Sequence, residues 1–239
     1  MLHKTNFDTC HLQEINLETV SAAAHIASLD TTLTMEANCY DKDEDQSSQM
    51  AIRKEIRRKA TGNASITSSK TPYTTKNILL KQNMSATVSS FKGERLYTLG
   101  LYCPTTGRDE DFETYLNAAE GIIDEQRKNH SNTHIVICGD FNVNTKNLSK
   151  HRKKRYEAFK SKLNLSEHKP DTHTFFPKDK RARSSTLDWI LTSEKVTVKG
   201  IRTITLDEVT HTADHMPVYY SIEIPITHPS PDTPDLDSG

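Results

Sequence analysis

The sequence has 239 residues, and its 31 Lys and Arg are balanced by 32 Asp and Glu for a formal net charge of -1. That balance excludes a uniformly basic nucleic-acid coat, although 31 cations suffice for a local basic face. No stretch approaches the ~18 apolar residues of a membrane-spanning helix, and the length suits one large domain or two small ones around a layered core.

Cys10, Cys39, Cys103 and Cys138 show no CxxC spacing, and three of them lie in apolar or strand-like surroundings. They read as reduced core residues rather than disulfides or metal ligands. The chain shows no apolar N-terminal stretch of the secretory type, so the expectation is an intracellular protein, nuclear or cytoplasmic and not secreted.

In chain order, residues 9–15 read as a short strand carrying Gln13 and Glu14. Residues 16–70 are polar and irregular, with an acidic run (Asp41, Asp43, Glu44, Asp45) followed by a basic one (Arg53, Lys54, Arg57, Arg58, Lys59). Ile52 and Ile56 have the spacing of a short helix, but the stretch has too few apolar residues to fold alone and reads as a loosely ordered insertion. From residue 71 the pattern predicts strands at 77–81, 87–91 and 95–103. It then predicts a helix over 112–126, with Asp109, Glu110 and Asp111 suited to its positive N-terminal dipole. The β-branched run Ile135-Val136-Ile137-Cys138 predicts a buried strand, and 150–163 a basic helix burying Tyr156, Phe159 and Leu163. Strands are expected at 187–191, 196–206 and 218–224, and the Pro-, Ser- and Asp-rich residues 225–239 read as a disordered tail.

Four acid-bearing motifs stand on this framework: Leu12-Gln13-Glu14, Gly139-Asp140-Phe141-Asn142, Thr186-Leu187-Asp188-Trp189-Ile190 and Ala213-Asp214-His215-Met216-Pro217-Val218. Between the first two, the 95–103 strand runs into Tyr102-Cys103-Pro104. An Asp and an Asn after a strand are often plain turn residues that bond their own backbone. It is the ordered set that carries specificity, because strand ends are where α/β proteins place their chemistry.

On these motifs the chain resembles the endonuclease/exonuclease/phosphatase family, and within it the endonuclease domains of non-LTR retrotransposons. The resemblance implies a four-layer α/β sandwich, two mixed sheets face to face with helices outside, spanning 71–224. It also implies a Mg²⁺-dependent phosphodiesterase (Mn²⁺ as the alternative ion) that nicks DNA, with RNA as a second nucleic-acid partner, no membrane and no small-molecule cofactor. Two other readings stand beside it: a catalytically silent relic or nucleic-acid-binding module, and a phosphatase or phospholipase acting on small phosphoesters.

Hydrolysing a phosphodiester requires groups that orient a water, neutralise charge on the equatorial oxygens and assist the leaving oxygen. The resemblance makes Glu14 the principal metal ligand and brings Asp214 to the metal or its water. Asp140 would activate the water, and Asn142 would donate its amide to the phosphate. His215 would stabilise the phosphorane with Asp188 accepting from its other ring nitrogen, and Tyr102 would offer its hydroxyl. Trp189 reads as core. Two basic clusters, Lys150, Arg152, Lys153, Lys154 and Arg155, then Lys178, Lys180, Arg181 and Arg183, are candidate phosphate contacts along a nucleic-acid backbone, although such runs are often solvated helix faces.

Relatives open with a strand that carries an Asn some thirty residues ahead of the Leu-Gln-Glu block. Asn6 is too close to Glu14 to be that residue. The resemblance therefore implies an N-terminally truncated member with only a residual motif in 1–15.

Overall fold

The computed structural model describes residues 8–12, 33–38, 63–68, 74–79, 84–105, 108–143, 149–178, 181, 183–204 and 214–226. Its centre is a six-stranded mixed sheet ordered β4-β5-β6-β7-β9-β8. The strands are β4 (Thr74–Leu79), β5 (Met84–Phe91), β6 (Glu94–Leu101), β7 (Thr133–Asp140), β8 (Leu165–His168) and β9 (Asp188–Ser193). All neighbours run antiparallel except β6 and β7. Parallel neighbours need a crossover connection, and helix α1 (Asp109–Asn129) supplies it.

The two faces of this sheet differ in chemistry, as the period of two along a strand dictates. One face presents Met84, Ala86 and Val88 of β5, Tyr97, Leu99 and Leu101 of β6, Ile135 and Ile137 of β7, and Trp189 and Leu191 of β9. Against it pack α1, through Phe112, Leu116, Ala119 and Ile123, and α2 (Lys150–Lys162), through Tyr156 and Phe159. Phe141 stacks on Trp189 at 4.9 Å and meets the Tyr156 ring edge-on at 5.8 Å. Contacts of this kind add ~0.5–1.5 kcal/mol each beyond area burial.

The other face is more polar, with Ser85, Thr87 and Thr98 buried in it. A three-stranded antiparallel sheet ordered β1-β3-β2 packs against β4 and β5: β1 (Thr9–Leu12), β2 (Leu33–Asn38) and β3 (Asn63–Ser68). Its His11 ring hydrogen-bonds Ser85 and Ser65 and lies over Gly100, where a Cβ would come within 2.8 Å of the His11 Nδ1. The hairpin of β10 (Thr197–Thr203) and β11 (Val218–Glu223) reaches this same face, where Tyr220 hydrogen-bonds Cys138. Helices, large sheet and small sheets thus form successive layers.

Most predicted elements appear within a few residues of their expected bounds. Two strands, β2 and β3, fall inside the 16–70 stretch that reads as a loose insertion. The pattern conceals them because β3 holds one large apolar side chain, Ile66, while its buried neighbours Ser65 and Thr67 hydrogen-bond His11 of the adjacent β1 and Asn77 of β4. The four-residue edge strand β8 has no counterpart among the expected elements. The expected 52–56 helix and residues 227–239 of the expected 225–239 tail lie outside the described residues. Cys10, Cys103 and Cys138 are free thiols, as expected, whereas Cys39 lies outside the described set.

Candidate active site

The site forms where β6 and β7 end and β9 begins. Gly139 has φ 141°, a backbone state that side-chain-bearing residues rarely adopt, one residue before β7 ends at Asp140. Two backbone bonds hold the exit: Cys103 N–H donates to the Asp140 carbonyl at 2.8 Å, and Phe141 N–H to the Leu187 carbonyl at 3.0 Å. The register pairs Asp140 with Asp188 across β7 and β9, so two of the sequence motifs meet as direct neighbours.

Asn142 sits in the left-handed region at φ 48°, which Asn tolerates better than most residues. Its backbone N–H donates to Asp140 Oδ1 at 2.8 Å. The side-chain Nδ2 donates to Asp140 Oδ2 at 2.9 Å and to the Cys103 carbonyl at 2.7 Å. Both amide hydrogens are committed here, so the donation to a phosphate expected from sequence requires one of these bonds to open.

His215 completes the centre. Its Nδ1 lies 2.9 Å from Asp188 Oδ2, and its Nε2 lies 3.9 Å from Asp140 Oδ2. Burial pulls the imidazole pKa down, but the hydrogen bond to Asp188 and the charges of Asp188, Asp140 and Asp214 outweigh it and carry the pKa up to about 9. At neutral pH His215 is an imidazolium clamped between carboxylates.

A segment that sequence reasoning overlooks joins the last two motifs. Thr174 is fully buried, and its Oγ1 accepts from the backbone N–H groups of Leu187 at 2.9 Å and Asp188 at 3.1 Å. Its carbonyl accepts from Met216 N–H at 2.6 Å, and Phe176 N–H donates to the Asp214 carbonyl at 2.7 Å. Phe175 packs its ring 4.9 Å from the His215 ring. One threonine and two aromatics thus hold Asp188 and His215 together. A lone Thr among turn residues carries no sequence signal for such a role.

The remaining expected site residues divide. Tyr102 follows β6 directly and is half-buried beside Cys103, and Asp214 is half-buried next to His215. Trp189 is core, as read. Glu14 and Lys180 lie outside the described residues. Lys150, Lys153, Lys154, Arg181 and Arg183 are exposed. Arg152 is a correction: it is 1% exposed, its guanidinium bonded inside the protein, so it cannot also contact a nucleic-acid phosphate. Arg155 is likewise turned inward, 2.6 Å from Glu120 and 2.7 Å from Asn117. A basic run in sequence does not reveal which of its members point inward.

Asp140, Asp188 and His215 place one ligand atom each within 4.8 Å of one another. Two carboxylates beside an imidazole suit a hard divalent cation that keeps several waters. With Nδ1 held by Asp188 and the ring protonated, His215 is better placed to face a substrate anion than to ligate, which leaves the carboxylates as the natural ligands.

The layered α/β fold thus gathers two aspartates and a histidine at its strand ends, an arrangement suited to phosphoester chemistry. A family model described as endonuclease-reverse transcriptase matches residues 96–219, just over half of the chain. The chain belongs to this family, within the endonuclease/exonuclease/phosphatase superfamily.

Solved structures agree on the fold. The 3' phosphatase NExo from Neisseria, bound to a product DNA hairpin, is 17% identical with a TM-score of 0.62, over 90% of this chain and 89% of that one. The endonuclease domain of TRAS1, a telomere-specific non-LTR retrotransposon, is 14% identical with a TM-score of 0.56, over 88% and 94%. D. rerio TDP2 complexed with a single-strand DNA product is 10% identical with a TM-score of 0.58, over 90% and 86%. No curated protein matches the sequence.

Proposed function

We propose that the chain is a divalent-metal-dependent phosphodiesterase that nicks DNA, derived from a retrotransposon endonuclease. The observation that carries the proposal is the Asp188-His215 pair at 2.9 Å, with the second ring nitrogen facing Asp140. A structural His has no need of three surrounding carboxylates that keep it charged, whereas a centre that receives a phosphate anion does.

In this reading Asp140, held by Asn142, accepts the proton of a water that attacks phosphorus. The His215 imidazolium faces the negative charge that accumulates on the equatorial oxygens, and Asp188 fixes its tautomer and orientation. The bond to the leaving oxygen breaks, and that oxygen takes a proton from solvent water. A Mg²⁺ or Mn²⁺ ion, held by Asp214 and Glu14 as the family resemblance implies, would supply further charge neutralisation. The exposed Lys150, Lys153, Lys154, Arg181 and Arg183 are the proposed backbone contacts.

Conversion of supercoiled plasmid to the nicked form, with Mg²⁺ or with EDTA, tests the proposal for the wild type and His215→Ala. Nicking that requires both the metal and His215 is expected. Cleavage of small phosphomonoesters with none of DNA would move the substrate assignment. Inertness of a folded wild type on both would leave the nucleic-acid-binding module.

A further inference from the structure

Arg152 stands where a charge is expensive. It is 1% exposed, and its carboxylate partner Asp109 is 39% exposed and therefore partly screened. A guanidinium cannot shed its proton, so its burial persists only where its donors are satisfied. Here every donor is engaged. Nε donates to Asp109 Oδ1 at 3.1 Å, one terminal nitrogen to the carbonyls of Pro104 at 2.9 Å and Asn142 at 3.3 Å, and the other to those of Thr105 at 3.0 Å and Arg108 at 3.4 Å. The group also lies 4.3 Å from the Phe112 ring.

Four of these five acceptors are backbone carbonyls. Three belong to the turn that follows β6 and Tyr102, and the fourth belongs to Asn142. Carbonyl oxygens gathered around one point repel each other unless a cation sits among them. Arg152 is placed there by the N-terminus of α2, where Ser149 caps its backbone N–H at 3.1 Å and also bonds Asp109 at 3.0 Å.

We infer that Arg152 is a positioning residue for the hydrolytic centre proposed above, an inference that rests on that reading. Its guanidinium joins the β6 turn to the Asn142 carbonyl. This steadies the left-handed Asn142 backbone, and through it the side chain that orients Asp140. The path from cation to general base runs through two hydrogen bonds, Arg152 to the Asn142 carbonyl and Asn142 Nδ2 to Asp140 Oδ2. Lysine cannot reproduce it, because a single ammonium with three donors lacks the planar fork that reaches two segments at once.

The test uses the full chain with Arg152→Lys, Arg152→Gln and Asp109→Asn, comparing kcat and KM for DNA nicking beside amide exchange at Cys103 and Asn142. Arg152→Lys is expected to keep its fold and its KM within about 3-fold while losing ~100-fold in kcat, the effect of a misplaced catalytic group. Asp109→Asn, which leaves the four carbonyl contacts in place, is expected to stay within about 3-fold in both constants. Exchange at the Cys103 and Asn142 amides should accelerate in Arg152→Lys while that of Ile135 and Ile137 in the sheet core stays unchanged. Wild-type kcat and wild-type exchange in Arg152→Lys would overturn the inference, and Arg152→Gln guards against a rescuing lysine. An inert wild type would sink the phosphodiesterase reading instead. The exchange experiment would then decide on its own: acceleration supports the clamp and unchanged exchange overturns it.

Discussion

Strand β7 carries a histidine–carboxylate contact at each end, roughly 20 Å apart along the strand. At its start His134 Nε2 meets Glu94 Oε2 at 2.9 Å, with both side chains nearly sealed at 6% and 4% exposure. At its end Asp140 Oδ2 faces the Nε2 of a 26% exposed His215 at 3.9 Å, and Asp188 holds the other side of that ring. The first pair joins adjacent parallel strands and is buried. The second joins segments far apart in sequence and leaves one ring nitrogen directed at a carboxylate beyond hydrogen-bond distance. The same pair of groups is nearly sealed at one end of the strand and held apart and partly open at the other, where the proposed hydrolytic role falls.

The largest expected effect breaks that contrast at the reactive end. Asp140→Ala and His215→Ala should each lower the nicking rate of the folded protein by at least ~10³-fold, well beyond any fall in the unfolding midpoint, since general-base and electrostatic groups carry effects of that size. Calorimetry beside the nicking assay checks both halves. At the cohesive end, Glu94→Ala should do the reverse, destabilising the fold by about 3 kcal/mol because it leaves a buried partner behind, with kcat of the folded fraction unchanged.

Asp188→Asn sharpens the comparison through pH. The His215 imidazolium is stabilised by its partners, so its contribution is fully present below the ordinary histidine pKa of 6.5 and is lost as pH rises through about 9. The wild-type pH–rate profile should therefore fall on its alkaline side near 9. Asp188→Asn, which removes the leading favourable contact, should move that limb down by ~1 unit or more. Thr174→Val comes next: it withdraws the acceptor from the Leu187 and Asp188 N–H groups and should cost ~1–3 kcal/mol of stability by denaturant titration. The smallest effect belongs to the exposed lysines. Replacing Lys150, Lys153 and Lys154 with Gln should flatten the dependence of log K on log salt for DNA binding by up to about 0.9 for each phosphate no longer neutralised, with kcat preserved.

Much of the reactive end is legible in the sequence because its residues sit at strand ends that periodicity locates. The Ile135-Val136-Ile137-Cys138 run announces β7 and places Asp140 at its end, and the expected strand from Leu187 places Asp188 at the start of β9, while their pairing comes from the sheet register. Less legible are features that depend on burial of polar groups. Strand β3 is stabilised through Ser65 and Thr67 as much as Ile66, so its pattern reads as loop. Arg152 lies in a run of cations that all resemble surface charge, and only the carbonyls of Pro104, Thr105, Arg108 and Asn142, distant in sequence, draw it inside. Thr174 acts through hydrogen bonds to backbone, which any sequence offers at nearly every position.

The most direct test sets the two ends of β7 side by side in one nicking assay with Mg²⁺: wild type, Asp140→Asn and Glu94→Gln, each verified as folded. Nicking is predicted for the wild type and for Glu94→Gln, with none above background for Asp140→Asn. Nicking by Asp140→Asn at the wild-type rate would contradict a hydrolytic centre at the end of β7.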